Sequence, residues 1–159
     1  MESLKLNGSK AETMTDQGRV LGVDYGTRRI GLAISDPLRI LATSYGVLTM
    51  NNEFIRRLLE IVAKEEIALM VVGMPLSLSG KKTIKAEEVE SFVESLRPKS
   101  PIEVVYWDER FTTSMAQQTM LTMGTRKKER RQKDGRVDAM AAAIMLQGFL
   151  DNTKQSLNC

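Results

Sequence analysis

The sequence predicts an α/β domain built on one five-stranded mixed sheet, three antiparallel strands followed by parallel strands, with helices on both faces. Three observations lead there. Two apolar strands, Arg19 to Asp24 and Arg28 to Ser35, are joined only by Tyr25-Gly26-Thr27, so they must form an antiparallel hairpin. Further along, short apolar runs alternate with stretches of helical period, as crossover connections between parallel strands require. Finally, 159 residues fit a single core, and neither an internal repeat nor a linker marks a second domain.

Taken in order, residues 1–18 lack periodicity and large apolar groups and read as a flexible arm. The domain then spans 19–150, and 151–159 form a polar tail. After the hairpin, Asp36-Pro37 signals a turn, and Ile40 to Thr49 reads as a third strand with an irregularity at Gly46. Phe54, Leu58, Ile61 and Val62 fall on one face of a helix from about Asn52 to Glu66. Ala68 to Gly73 is a continuous apolar run with paired β-branched residues, suited to a central parallel strand. Ala86, Val89, Val93 and Leu96 mark a second helix stopped before Pro98, and Ile102 to Trp107 gives the fifth strand. A short helix is expected over 112–123. A last helix is expected over 136–150, with Val137, Ala141, Ile144, Met145 and Gly148 inward.

Composition narrows the chemistry. The chain has no histidine, which removes histidine-based triads, imidazole acid–base catalysis and the usual zinc sites. Its one cysteine, Cys159, cannot form an intramolecular disulfide. No apolar run is long enough to span a bilayer, and Met1 to Gly18 has no apolar signal core, so a cytoplasmic protein without membrane contact is expected. Carboxylates, carbonyls and hydroxyls remain as metal donors, and such hard oxygens suit Mg²⁺ or Mn²⁺. Charge is concentrated: Arg126, Lys127, Lys128, Arg130, Arg131, Lys133 and Arg136 face only Glu129 and Asp134, while the whole chain is only +3. That segment is expected to contact a polyanion through its backbone, since no aromatic residue lies within it.

The acids fall at informative places. Asp24 ends the first strand, Asp108 and Glu109 end the fifth, and Asp138 lies in the first turn of the last helix. If strands one and five run parallel, their carboxyl ends share the sheet edge where open α/β folds bind ligands. Crowded carboxylates repel unless cations fill the gap between them. Two such ions about 3.5 to 4 Å apart would suit an in-line phosphodiester displacement.

Four blocks carry a resemblance. They are Asp24-Tyr25-Gly26-Thr27-Arg28-Arg29-Ile30-Gly31-Leu32-Ala33; Val72-Gly73-Met74-Pro75-Leu76 with Gly80; Asp108-Glu109-Arg110-Phe111-Thr112-Thr113; and Lys133 with Asp138 and Ala141-Ala142. In that order they resemble the YqgF/RuvX family across most of residues 19–150. The resemblance implies an RNase H-like fold similar to the RuvC resolvases. It also implies a hydrolase that resolves Holliday junctions or trims the 5′ end of small-subunit (pre-16S) ribosomal RNA precursor. Asp24 matches the first-strand acid expected to contact both metals, and Asp138 matches the acid of the last helix. Glu109 is the choice for the middle ligand, with Asp108 the alternative because the last regular residue of the strand is not fixed by sequence.

Nucleic acid, either pre-16S rRNA or branched DNA, is thus the expected partner of a monomer or homodimer. Arg28, Arg29 and Arg110 are candidate phosphate contacts, as are Lys81 and Lys82 in a loop that would close over a strand, and the basic segment from Arg126 to Lys133. Gly26 and Gly31 serve either a turn or close backbone approach, and one of Thr112 and Thr113 is expected to cap the following helix. Two competing expectations remain: a binding factor with an idle acidic site, and an ATP-handling protein of the actin-like superfamily, because Asp24-x-Gly-Thr also resembles its phosphate loop.

Overall fold

The computed structural model describes residues 17–111 and 135–157. Strands β1 (Arg19–Tyr25), β2 (Arg29–Ser35) and β3 (Ala42–Thr49) come first. Helix α1 (Phe54–Lys64), strand β4 (Ile67–Met74), helix α2 (Ile84–Leu96), strand β5 (Glu103–Asp108) and helix α3 (Gly135–Leu157) follow. One 3₁₀ turn, Arg97–Lys99, takes up Pro98 after α2, and another, Glu109–Phe111, follows β5 directly. The sheet has the order β3-β2-β1-β4-β5; its antiparallel pairing across β1, β2 and β3 and parallel pairing across β1, β4 and β5 match the mixed sheet expected from the sequence.

Because side chains alternate along a strand, each strand feeds two cores. Leu21, Val23, Ile30, Leu32, Met70 and Val72 pack on Leu58 of α1 and on Val89, Phe92 and Val93 of α2. Val20, Ala33, Leu69, Val71 and Trp107 pack on Ala142, Met145, Leu146 and Leu150 of α3. The same alternation puts Asp24, Arg29, Gly31 and Gly73 on the α3 face of the sheet, in line with Val20, Ala33 and Val71. Asp108, next to Trp107, points to the opposite face.

Three details depart from the sequence reading. β3 starts at Ala42, not Ile40, because the Asp36 carboxylate accepts the backbone N–H groups of Ile40 and Leu41 at 2.7 and 2.8 Å, taking them from any ladder. The expected irregularity is present: the β2–β3 register shifts between Leu32 and Ala33, opposite Gly46. α3 runs on to Leu157, through residues read as a polar tail, and buries Ala139, Ala142, Met145, Leu146 and Leu150. Of the expected inward set only Met145 is fully buried; Val137, Ala141, Ile144 and Gly148 lie at the margin. An alanine-rich helix is apolar on most sides, so its periodicity is shallow, and the strip of small residues on the sheet decides which side faces in. A Cβ on Gly22 would meet the Leu146 Cβ at 2.9 Å.

The expected arm, apart from Gln17 and Gly18, lies outside the described residues, as do the short helix over 112–123 and the basic residues Arg126 to Lys133. Gln17 and Gly18 are pinned: the Gln17 N–H donates to the Pro37 carbonyl, and Arg39 donates to the carbonyls of both. No helix among the described residues is long and apolar enough to cross a membrane.

Candidate active site

β1 and β5 are both parallel to β4, so their carboxyl ends meet at one edge of the sheet. Asp24 lies opposite Gly31 in the β1–β2 ladder. Its carboxyl group is half-buried and lies within hydrogen-bonding reach of the side chain of Glu109. A hydrogen bond between two carboxyl groups needs a proton on one of them. Burial, then the charge and hydrogen bond of Glu109, push the Asp24 pKa up to about 7; Lys85 opposes the shift and Asp138 adds to it.

Gly73, at the end of β4, makes room for this pairing. A Cβ there would lie 2.5 Å from Glu109 Oε1 and 2.7 Å from Met145 Sδ. The Glu109 carboxylate therefore rests on bare backbone, between the end of β4 and α3. Gly31 performs a similar service for Asp138: a Cβ at residue 31 would collide with the Asp138 carbonyl oxygen, so the first turn of α3 is pressed against β2.

The structure also separates Asp108 from Glu109. The Asp108 carboxylate takes the Arg110 guanidinium on both oxygens, Nη2 donating to Oδ2 at 2.5 Å and Nε to Oδ1 at 3.0 Å, and its Oδ1 accepts the Arg110 backbone N–H at 2.9 Å. Arg110 thereby holds Asp108 below the usual carboxylate range. Arg110 also donates to the Leu78 carbonyl at 3.4 Å and lies against Gly80, so it ties the loop after β4 to the end of β5. Asp138 is in the neighbourhood of Asp24 electrostatically, but its Oδ2 is paired with Arg29 Nε at 3.0 Å.

The donor set fits a divalent cation in part. Asp24 and Glu109 offer two converging hard-oxygen donors whose mutual repulsion raises the Asp24 pKa, and a cation between them would relieve it. Asp138 is diverted to Arg29, and among the described residues no three acids are arranged to hold an ion together.

The remaining basic candidates divide. Arg28 and Lys81 are exposed, and Lys82 is paired with Glu90 at 2.9 Å. Arg126, Lys127, Lys128, Arg130, Arg131 and Lys133 lie outside the described residues. Sequence reasoning missed Lys85, the cation whose charge Asp24 feels. It sits in the first turn of α2, fixed by Thr83, which accepts the Ala86 N–H at 3.1 Å and donates to the Pro75 carbonyl at 2.8 Å. The Thr83 cap was readable; the direction of Lys85 was not. A groove along α1, lined by Ile55, Leu59, Ala63 and Lys99, includes none of these acids.

Residues 18–152 match the family described as RuvX: Holliday junction resolvase. A protein of Salinibacter ruber, named as a candidate pre-16S rRNA nuclease, is 39% identical over 142 residues, covering 89% of this chain and 98% of its own. A Roseiflexus protein of the same name is 36% identical, covering 88% and 99%. Among solved structures, RuvC of T. thermophilus bound to a Holliday junction substrate superposes with a TM-score of 0.55 at 15% identity, covering 86% of this chain and 97% of that one. The yeast mitochondrial Holliday junction resolvase Ydc2 gives 0.54 at 13%, covering 91% and 82%. At such identities these two speak to the fold, which is the mixed-sheet, RNase H-like architecture of the resolvases.

Proposed function

The chain belongs to the RuvX family, and from that premise we propose that it is a divalent-metal-dependent endonuclease that cuts phosphodiesters of structured nucleic acid. Its substrate is pre-16S rRNA, a four-way DNA junction, or both. The observation that carries this reading is the convergence of Asp24 and Glu109, both half-buried at the carboxyl edge of the sheet, with Asp138 close enough to raise the Asp24 pKa.

In this reading Asp24 and Glu109 hold Mg²⁺ or Mn²⁺, and Asp138 completes the set. The bound cation supplies the charge that offsets the developing negative charge of phosphodiester hydrolysis. The protein does the rest by position. Burial strips water from Asp24, so its carboxylate bonds what lies beside it more strongly. Gly73 leaves the room in which Glu109 lies against the end of β4. Arg110, oriented by Asp108, presents the loop of Lys81 to a passing strand, and exposed Arg28 meets phosphate at the other side of Asp24. The basic residues Arg126 to Lys133 add affinity along the backbone. The family match makes the ATP-handling expectation superfluous, because it accounts for Asp24-Tyr25-Gly26-Thr27 within a nuclease.

The test is a cleavage assay with Mg²⁺ that offers a four-way DNA junction and pre-16S rRNA side by side to the wild type and to Asp24→Asn. Cleavage of at least one by the wild type and of neither by the variant supports the proposal. Binding without cleavage by the wild type, in Mg²⁺ and in Mn²⁺, supports instead the idle-site binding factor.

A further inference from the structure

Asp138 has two competing destinations. Its backbone carbonyl occupies the space over Gly31, which packs the first turn of α3 on β2, and the side chain is the part with a choice of partner. One destination is Arg29, two residues before Gly31 on the same face of β2 and already paired with it at 3.0 Å. The other is the Asp24 and Glu109 pair, which its charge already reaches. Both partners of the ion pair are about one-third exposed, at 30% and 38%, so the bond is a weak one that another anion can exchange. Phosphate is the natural competitor, because a guanidinium carries five N–H donors in a fork that matches it bidentately.

We propose that Arg29 is a substrate-sensing latch: it keeps Asp138 from the metal until a nucleic-acid phosphate takes the guanidinium, whereupon Asp138 turns to complete the ligand set. This rests on the nuclease reading above. Metal and nucleic acid then bind cooperatively, and by linkage each strengthens the other by the same factor.

Two measurements without turnover test it. In the first, Mn²⁺ alone is titrated at pH 8 by electron paramagnetic resonance into the wild type, R29Q, D138N, R29Q/D138N and D24N. The latch predicts that R29Q binds Mn²⁺ roughly fivefold more tightly than the wild type, the scale a half-exposed ion pair supports. D138N should cost the wild type less than about twofold yet erase the whole gain in R29Q. In the second, a four-way DNA junction and a pre-16S rRNA fragment are bound in EDTA. R29Q should weaken the binding of at least one, and D138N, which frees Arg29, should tighten it. Because D138N tests the ion pair from its other side, the proposal remains falsifiable even if R29Q folds poorly. Unchanged Mn²⁺ affinity in R29Q, or no tightening of nucleic acid by D138N, overturns the latch while wild-type binding lost in D24N keeps the metal site. Absence of Mn²⁺ binding in the wild type and R29Q alike overturns both.

Discussion

Asp24, at the end of β1, lies with its carboxyl group within hydrogen-bonding reach of Glu109, the residue that follows β5. Two acids far apart in the chain thus meet at one sheet edge. That arrangement costs stability when Asp24 loses its proton, and the cost is what a bound cation would relieve.

The first consequence is a pH dependence. Asp24 titrates near 7 in the folded chain and near 3.8 unfolded, so the native state holds the extra proton between those values. Stability therefore falls as pH rises from about 4 to about 7 and stays low above it. Asp24→Asn removes the penalty. The variant should melt with the wild type near pH 4 and be more stable at pH 8 without metal, by an amount on the order of 2 to 4 kcal/mol. Denaturant unfolding at both pH values checks this. Adding Mg²⁺ at pH 8 should narrow the gap by stabilising the wild type alone.

A second prediction separates neighbours. Glu109→Gln removes a proposed metal donor, so cleavage should fall by more than about 100-fold and Mn²⁺ binding should weaken with it. Asp108→Asn only loosens Arg110 and the loop at Leu78 and Gly80. Its rate should drop by about 10-fold or less with Mn²⁺ affinity preserved. Equal losses of metal binding in the two variants would contradict the assignment.

Gly73 and Gly31 should respond differently to a single methyl group. In Gly73→Ala the new Cβ meets the mobile ends of Glu109 and Met145, which can shift, so a loss of about 1 to 2 kcal/mol should accompany a larger fall in activity. In Gly31→Ala the Cβ meets the Asp138 backbone carbonyl, and the start of α3 must move. That variant should lose about 3 kcal/mol or more. Thermal melts beside cleavage rates distinguish the two.

The basic segment makes a prediction about salt. Replacing Lys127, Lys128, Arg130 and Arg131 with Gln should weaken binding to the junction and the precursor alike. It should also reduce the slope of log affinity against log salt by roughly 0.7 to 0.9 for each phosphate no longer neutralised. An unchanged slope would assign these charges to solvent.

Much of the fold was legible because each strand carries its own signal. The hairpin follows from a three-residue link, and β4 reads as buried from Leu69 to Val72, each of which is buried. The choice between Asp108 and Glu109 stayed open in the sequence for want of one parity. Once Trp107 is known to pack on α3, alternation turns Asp108 away, while Glu109 lies beside Asp24 from the 3₁₀ turn that follows, over the bare backbone of Gly73. The face of α3 was misread because its many alanines give a weak period, and the glycines it leans on lie on other strands. The pairing of Asp138 with Arg29 and the reach of Lys85 were beyond sequence reading, since both depend on side-chain directions set by tertiary packing.

The central claim is that Asp24 and Glu109 together grip a divalent ion. Anomalous diffraction from a crystal soaked in Mn²⁺ at pH 8 tests it most directly. A peak within bonding distance of carboxylate oxygens from both residues is the predicted result; ordered Mn²⁺ elsewhere, with neither Asp24 nor Glu109 bound to it, would contradict it.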